Sequence, residues 1–137
     1  MSTVRRPSYL QSAVAWSIVP LLSACPLAAL AHARLVRSSP ASHAEVTAPP
    51  ERIEIWFSEL LEDGFNSVAI VPAAELAAPR RASLTHGLPT VDHDDRTHLV
   101  VSVPRLASGS YVVEWRVLSR DGHGATGSFA FRIRTPP

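Results

Sequence analysis

The sequence predicts an all-β fold: one Ig-like Greek-key sandwich or barrel of about seven antiparallel strands. Three observations predict it. Short runs alternate apolar and polar residues with the period of a strand. Gly and Pro break the chain between those runs. No window carries the spacing of a long amphipathic helix. The 137 residues suffice for one domain and are too few for two ordinary ones.

The first segment is not expected to be part of that domain. Arg5 and Arg6 form a basic start, Tyr9 to Leu30 is almost free of charge, and Ala29-Leu30-Ala31 is a small-x-small cleavage pattern. Together they read as a secretory signal peptide over residues 1–31, removed on export. An uncleaved membrane anchor is the competing reading of the apolar run, and Pro20 and Pro26 weaken it. The arginine pair hints at twin-Arg export, although the residues after it fit that signal poorly. Leu22-Ser23-Ala24-Cys25 offers a second processing site, a lipobox that would make Cys25 the lipidated first residue; Pro26 is awkward there. Cleavage after Ala31 makes His32 the first residue of a domain over residues 32–137.

The elements then follow in order. "RLVRS" (34–38) is a first strand, and "SSPASHAEVTAPPER" (38–52) is a loop rich in Ser, Ala and Pro. In "RIEIWFS" (52–58), Ile53, Ile55 and Phe57 share one face, while Arg52, Glu54, Trp56 and Ser58 share the other. "NSVAIVP" (66–72) is a short β-branched strand ended by Pro72. Residues 73–98 are the least legible: "AAELAAPRRA" allows one helical turn before Pro79, and the rest is expected as a long loop or ragged hairpin. "THLVVSVP" (97–104) aligns Leu99, Val101 and Val103. "GSYVVEWRVLS" (109–119) turns Tyr111, Val113, Trp115 and Val117 inward; "GSFAFRIR" (127–134) does so with Phe129, Phe131 and Ile133. The paired cysteines of a true Ig domain are missing, so the likeness is architectural.

Composition excludes several functions for the processed chain. Loss of Arg5 and Arg6 leaves 11 basic residues against 12 acids, with no footprint for nucleic acid or an anionic membrane. The only Cys, Cys25, and the only Met, Met1, leave with the signal. No disulfide, thiolate nucleophile or soft metal ligand then remains.

The stretch "SRDGHGATG" (119–127) holds the candidate chemistry. In an extended segment Asp121 and His123 project to one side, and Gly122 and Gly124 permit a tight turn and close approach of a ligand. A free His32 adds its α-amine and Nδ1, which chelate one ion in a six-membered ring. Three nitrogens and one oxygen suit the tetragonal preference of Cu(II); Zn(II) would take the same donors tetrahedrally. On these residues alone a metal site competes with two plainer readings. Asp-Gly is an ordinary turn pair, and an N-terminal His is often only where a peptidase cuts.

The chain as a whole resembles the CopC family of periplasmic copper-resistance proteins. The likeness runs from His32 to the C-terminus. It is carried by "HARLVRSSPA" (32–41), "ERIEIWFSE" (51–59) and "GSYVVEWRVLSRDGHGATGSFAFRI" (109–133), with the pattern W-R-V-x-S-x-D-x-H followed by x-x-T-G-x-x-x-F. The resemblance implies a Greek-key β domain that binds one Cu(II) ion, with ligands carried over to His32, Asp121 and His123. An acid at the end of the family's second strand lies near that site, and Glu59 occupies its place. Some members also have a Met-rich loop for Cu(I). Residues 70–90 of this chain contain no Met, and His43, His86, His93 and His98 are expected as solvated loop histidines, His93 amid "DHDD" being at most a weak surface ligand.

The expectation is therefore a monomeric, non-enzymatic periplasmic protein with one Cu(II) site. It would sequester or deliver copper, with an inner-membrane copper transporter of the same resistance system as the implied partner and no nucleic-acid partner. Two rival functions fit less of the sequence: a histidine-brace copper oxygenase, and a metal-free adhesive β-sandwich.

Overall fold

The computed structural model describes residues 32–134, and within them the alternating runs are strands. The expected signal peptide, residues 1–31, lies outside the described residues. In chain order, β1 is Leu35–Ser39, β2 Glu45–Val46, β3 Arg52–Phe57, β4 Ser67–Pro72, β5 His86–Val91, β6 His98–Ser102, β7 Gly109–Leu118 and β8 Gly124–Ile133. A single 3-10 turn covers Ala73–Glu75, ahead of Pro79 as the sequence suggests.

These eight strands form two four-stranded sheets, ordered β1-β3-β6-β5 and β2-β8-β7-β4. Strand pairing is antiparallel except at β2, which runs parallel to β8 through Glu45↔Arg132 and Val46↔Ile133. The expected seven antiparallel strands are present, and one short parallel strand is added to them. Its two residues sit in a Pro-rich loop and carry no alternation; hydrogen bonds from outside the segment make it a strand. Arg132 N donates to Ala44 O at 2.9 Å and Arg134 N to Val46 O at 2.9 Å.

Residues 73–98 resolve as the ragged hairpin. β5 contains Gly87 and Pro89, and its pairing with β6 shifts register between His86 and Thr90. Only Val91 of its six residues is buried. An edge strand with so little apolar payload leaves almost no period-two signal.

The faces read from sequence are the faces observed. Ile53, Ile55, Phe57, Leu99 and Val101 from one sheet meet Val68, Ile70, Tyr111, Val113, Trp115, Val117, Phe129, Phe131 and Ile133 from the other, all buried. Burial of each large side chain contributes roughly 1.5–3 kcal/mol. Phe57 and Trp115 join the sheets edge to face, their ring centroids 5.0 Å apart. Tyr111 Oη donates to Ala107 O at 2.8 Å, so the buried phenol is satisfied by the loop before its own strand.

The long β7–β8 hairpin is the frame for function. Its ten paired positions run from Gly109↔Ile133 to Leu118↔Gly124. The five residues left at its tip are 119–123, the first part of the stretch 119–127 singled out by sequence.

Candidate metal centre

The tip is a closed turn. Gly122 N donates to Ser119 O and Ser119 N to His123 O, both at 2.9 Å. Gly122 has φ +90°, a region that penalises a side chain, so glycine is required there. Gly124 needs no such freedom: it is the first residue of β8, with nothing closer to an added Cβ than Val117 O at 3.9 Å. The two glycines expected to act alike therefore differ; one shapes the turn and the other begins a strand.

Asp121 is held by the same turn. Its Oδ1 accepts from His123 N at 3.1 Å, and its Oδ2 stands 3.1 Å from His123 Nδ1. The His123 amide, and then its ring, hold the Asp121 carboxyl below its ordinary range. Asp121 is therefore a carboxylate at neutral pH, with both oxygens turned toward His123. Both side chains remain about half exposed, 40% for Asp121 and 59% for His123.

The start of the domain arrives at this tip along β3. Arg34 N donates to Ser58 Oγ at 3.0 Å, and Ser58 N donates to Arg34 O at 2.9 Å. Ala33 is buried, so the chain is anchored immediately after His32. The other side of the 58–62 segment grips the tip: Arg120 N donates to Leu60 O at 2.9 Å, and Leu61 bridges Ser119. One segment thus ties the start of the described chain to the tip of the β7–β8 hairpin. The exposed His32 ring lies 5.9 Å from the His123 ring, centroid to centroid, at 48° between planes.

The structure brings His32, Asp121 and His123 to one end of the sandwich. It does not converge them on one point: among the described residues, no three His, Asp or Glu side chains are gathered around a metal-sized space. Asp121 and His123 satisfy each other, and in the full chain the His32 nitrogen is bound to Ala31 in a peptide bond. Glu59 is half-buried in the 58–62 segment, between Ser58, which bonds Arg34, and Leu60, which bonds Arg120.

His43, His86 and His93 are exposed, as expected of solvent-facing histidines, although His86 lies in β5 rather than in a loop. His98 corrects the expectation. It lies in β6, is 9% exposed, and places its ring between two carboxylates. Nδ1 is 3.1 Å from Asp92 Oδ2. Nε2 is 3.0 Å from Glu54 Oε2, an ion-pair contact without a hydrogen bond. The ring stacks on Trp56 at 4.1 Å and 3°. Sequence reasoning missed this group because cross-strand register, not spacing along the chain, makes Trp56 and His98 neighbours.

Comparison with known proteins agrees with this architecture. The chain is 33% identical over 106 residues to copper resistance protein C of Pseudomonas syringae pv. tomato, covering 77% of this chain and 83% of that one. It is also 33% identical over 105 residues to protein YobA of Escherichia coli K12, covering 76% and 80% respectively. The crystal structure of CopC from Methylosinus trichosporium OB3b superposes with a TM-score of 0.68 at 29% identity, covering 77% of this chain and 97% of that one. Residues 35–134 match the profile of the CopC domain, and the chain belongs to the CopC family.

Proposed function

We propose that this protein is a periplasmic carrier of one Cu(II) ion, bound by the α-amine and imidazole of His32, the carboxylate of Asp121 and the imidazole of His123. The observation that carries the reading is the meeting of the start of the described chain with the tip of the β7–β8 hairpin. His32 and His123 are 91 residues apart in sequence and 5.9 Å apart in space. Cleavage after Ala31 frees the nitrogen that completes a chelate ring. The relationship to copper resistance protein C of Pseudomonas syringae supports the choice of metal, and the donors favour its oxidised form.

Copper is cargo here, not a resident cofactor. After Cys25 the chain contains neither Cys nor Met, so the reduced ion finds no sulfur ligand. This favours a single Cu(II) site without a Met-rich Cu(I) site. It also suits a monomeric protein that buffers copper or hands it to a membrane transporter of the same resistance system. A role without chemistry fits the placement of Trp115, which is in the core rather than on a substrate-facing surface.

The test is made on protein exported by a bacterial host. N-terminal sequencing should return His32 as the first residue. Titration should then show uptake of one Cu(II) per chain, with a tetragonal electron paramagnetic resonance signal coupled to nitrogen. Ascorbate plus a Cu(I) chelator should strip the metal. Retention of reduced copper, or equal affinity in a chain beginning elsewhere, would overturn the proposal.

A further inference from the structure

β1 delivers His32, and the interior holds it only at its start, where Ala33 is buried and Leu35 packs partly against the core. It is an edge strand, and none of its five residues is buried: Val36, Arg37 and Ser39 are exposed, while Leu35 and Ser38 are intermediate. Register is ordinarily set by an apolar face turned to the core. β1 also loses ladder regularity, because its pairing with β3 shifts between Leu35 and Arg37. A slip by two residues keeps the same faces and moves His32 by about 7 Å, more than the present separation of its ring from that of His123.

The outer face of the sheet adds a second hold, farther along the strand. Arg37, Trp56 and His98 are direct cross-strand partners on β1, β3 and β6. The Arg37 guanidinium carbon lies 3.7 Å from the centroid of the Trp56 ring. His98 stacks on Trp56 at 4.1 Å, nearly parallel. Both distances fit only if the cation and the imidazole cover opposite faces of the indole. His98 is itself clamped by Asp92 and Glu54, and Glu54 Oε1 takes a further 2.6 Å bond from Arg52 Nε. The ladder is thus rigid at its β6 end and reaches β1 through one guanidinium.

We propose that this Arg37–Trp56–His98 ladder is a positioning device for copper ligation: it pins the register of β1 on β3 and so sets His32 opposite His123. Trp56 and Arg37 are positioning residues and touch no metal. This inference rests on the Cu(II) reading of the same site. It adds that the affinity of that site depends on three side chains on the outer sheet face, away from the donors. Partners outside the ligand set that orient ligands typically cost 10–100-fold in metal affinity when lost.

The experiment uses the exported protein beginning at His32, as wild type and as Arg37→Met, Arg37→Lys and Trp56→Ala. Arg37→Met keeps the aliphatic stem and removes the cation. Arg37→Lys retains a cation over the indole. In the metal-free proteins, amide exchange of β1 should quicken in Arg37→Met and Trp56→Ala, while the β7–β8 amides keep their protection. Competitive titration should show Cu(II) affinity falling roughly 10–100-fold in those two variants. Their resonance spectra should show a second species with fewer coupled nitrogens, and Arg37→Lys should restore most of both properties. Wild-type affinity and spectrum in Arg37→Met would overturn the proposal, as would unchanged β1 exchange. Should Trp56→Ala not fold, the two Arg37 variants decide. If the unaltered protein took up no Cu(II), the functional reading would fail, and β1 exchange in the metal-free variants would still judge the ladder.

Discussion

The rings of His32 and His123 stand 5.9 Å apart and tilted by 48°, although one opens the described domain and the other ends the turn before its last strand. Neither position is free to drift. Arg34 is bonded to Ser58 through both backbone groups, and the turn of His123 is held by Ser119 and by Leu60 through Arg120. Preorganisation of this kind lowers the ordering cost of ligation. Replacing His32 with Ala, or adding one residue in front of it, should therefore weaken Cu(II) binding by more than the ~10–100-fold typical of outer partners. Competitive titration of the exported variants checks this, with unfolding in urea expected to match wild type.

Gly127 sits under the indole of Trp115. A Cβ on Gly127 would lie 2.3 Å from Trp115 Cζ2 and 2.8 Å from Cε2, closer than real contacts allow. The indole cannot swing away freely, because Phe57 packs edge-on against it across the core. Gly127→Ala should cost about 1–3 kcal/mol, the usual range for overpacking. Urea unfolding followed by Trp fluorescence measures it. Cu(II) affinity should hold, because residues 119–123 keep their backbone bonds.

Much of this architecture was legible in sequence, for a physical reason. In β3, β6, β7 and β8 one face meets the core, so Ile53, Ile55, Val113 and Phe129 had to alternate with residues of the less buried outer face. β2 and β5 stayed hidden because external hydrogen bonds and an edge position define them, and neither leaves an apolar period. Asp121 and His123 were legible as a pair because only two positions separate them. Their tie to His32 became readable through the cleavage pattern and the family resemblance. The Arg37–Trp56–His98 ladder was not legible at all: its three members lie on three strands, and alternation alone places them merely on an outer face.

Acid should loosen the 92–97 loop before the core. Asp92 accepts from the amides of Asp94 and Asp95 and pairs with His98; Asp95 accepts from Thr97 Oγ1 at 2.6 Å and from its amide. The Asp94 amide is the main cause of the lowered Asp92 value, and the Thr97 hydroxyl of the lowered Asp95 value. A carboxyl depressed in the folded state favours folding above its unfolded value of about 3.9, and that contribution is lost as pH falls through the lower, folded value. Unfolding midpoints in urea should therefore drop below about pH 4. Asp92→Asn and Asp95→Asn should each flatten that drop; an unchanged slope in both would count against the two turns as its source.

Charge and shape at Asp121 can be separated. Asp121→Asn retains an Oδ1 that accepts from the His123 amide, so the turn from Ser119 to His123 should survive. It removes the negative charge that a cupric ion would meet. Asp121→Ala removes both charge and acceptor. Unfolding midpoints should stay near wild type in the Asn variant and fall in the Ala variant, which loses the acceptor of the turn. Cu(II) affinity should fall at least ~10-fold in both, and Glu59→Gln should cost less than either. If the Asn variant bound copper as tightly as wild type, Asp121 would be a turn-forming residue alone, and the fourth donor would have to be sought along the 58–62 segment.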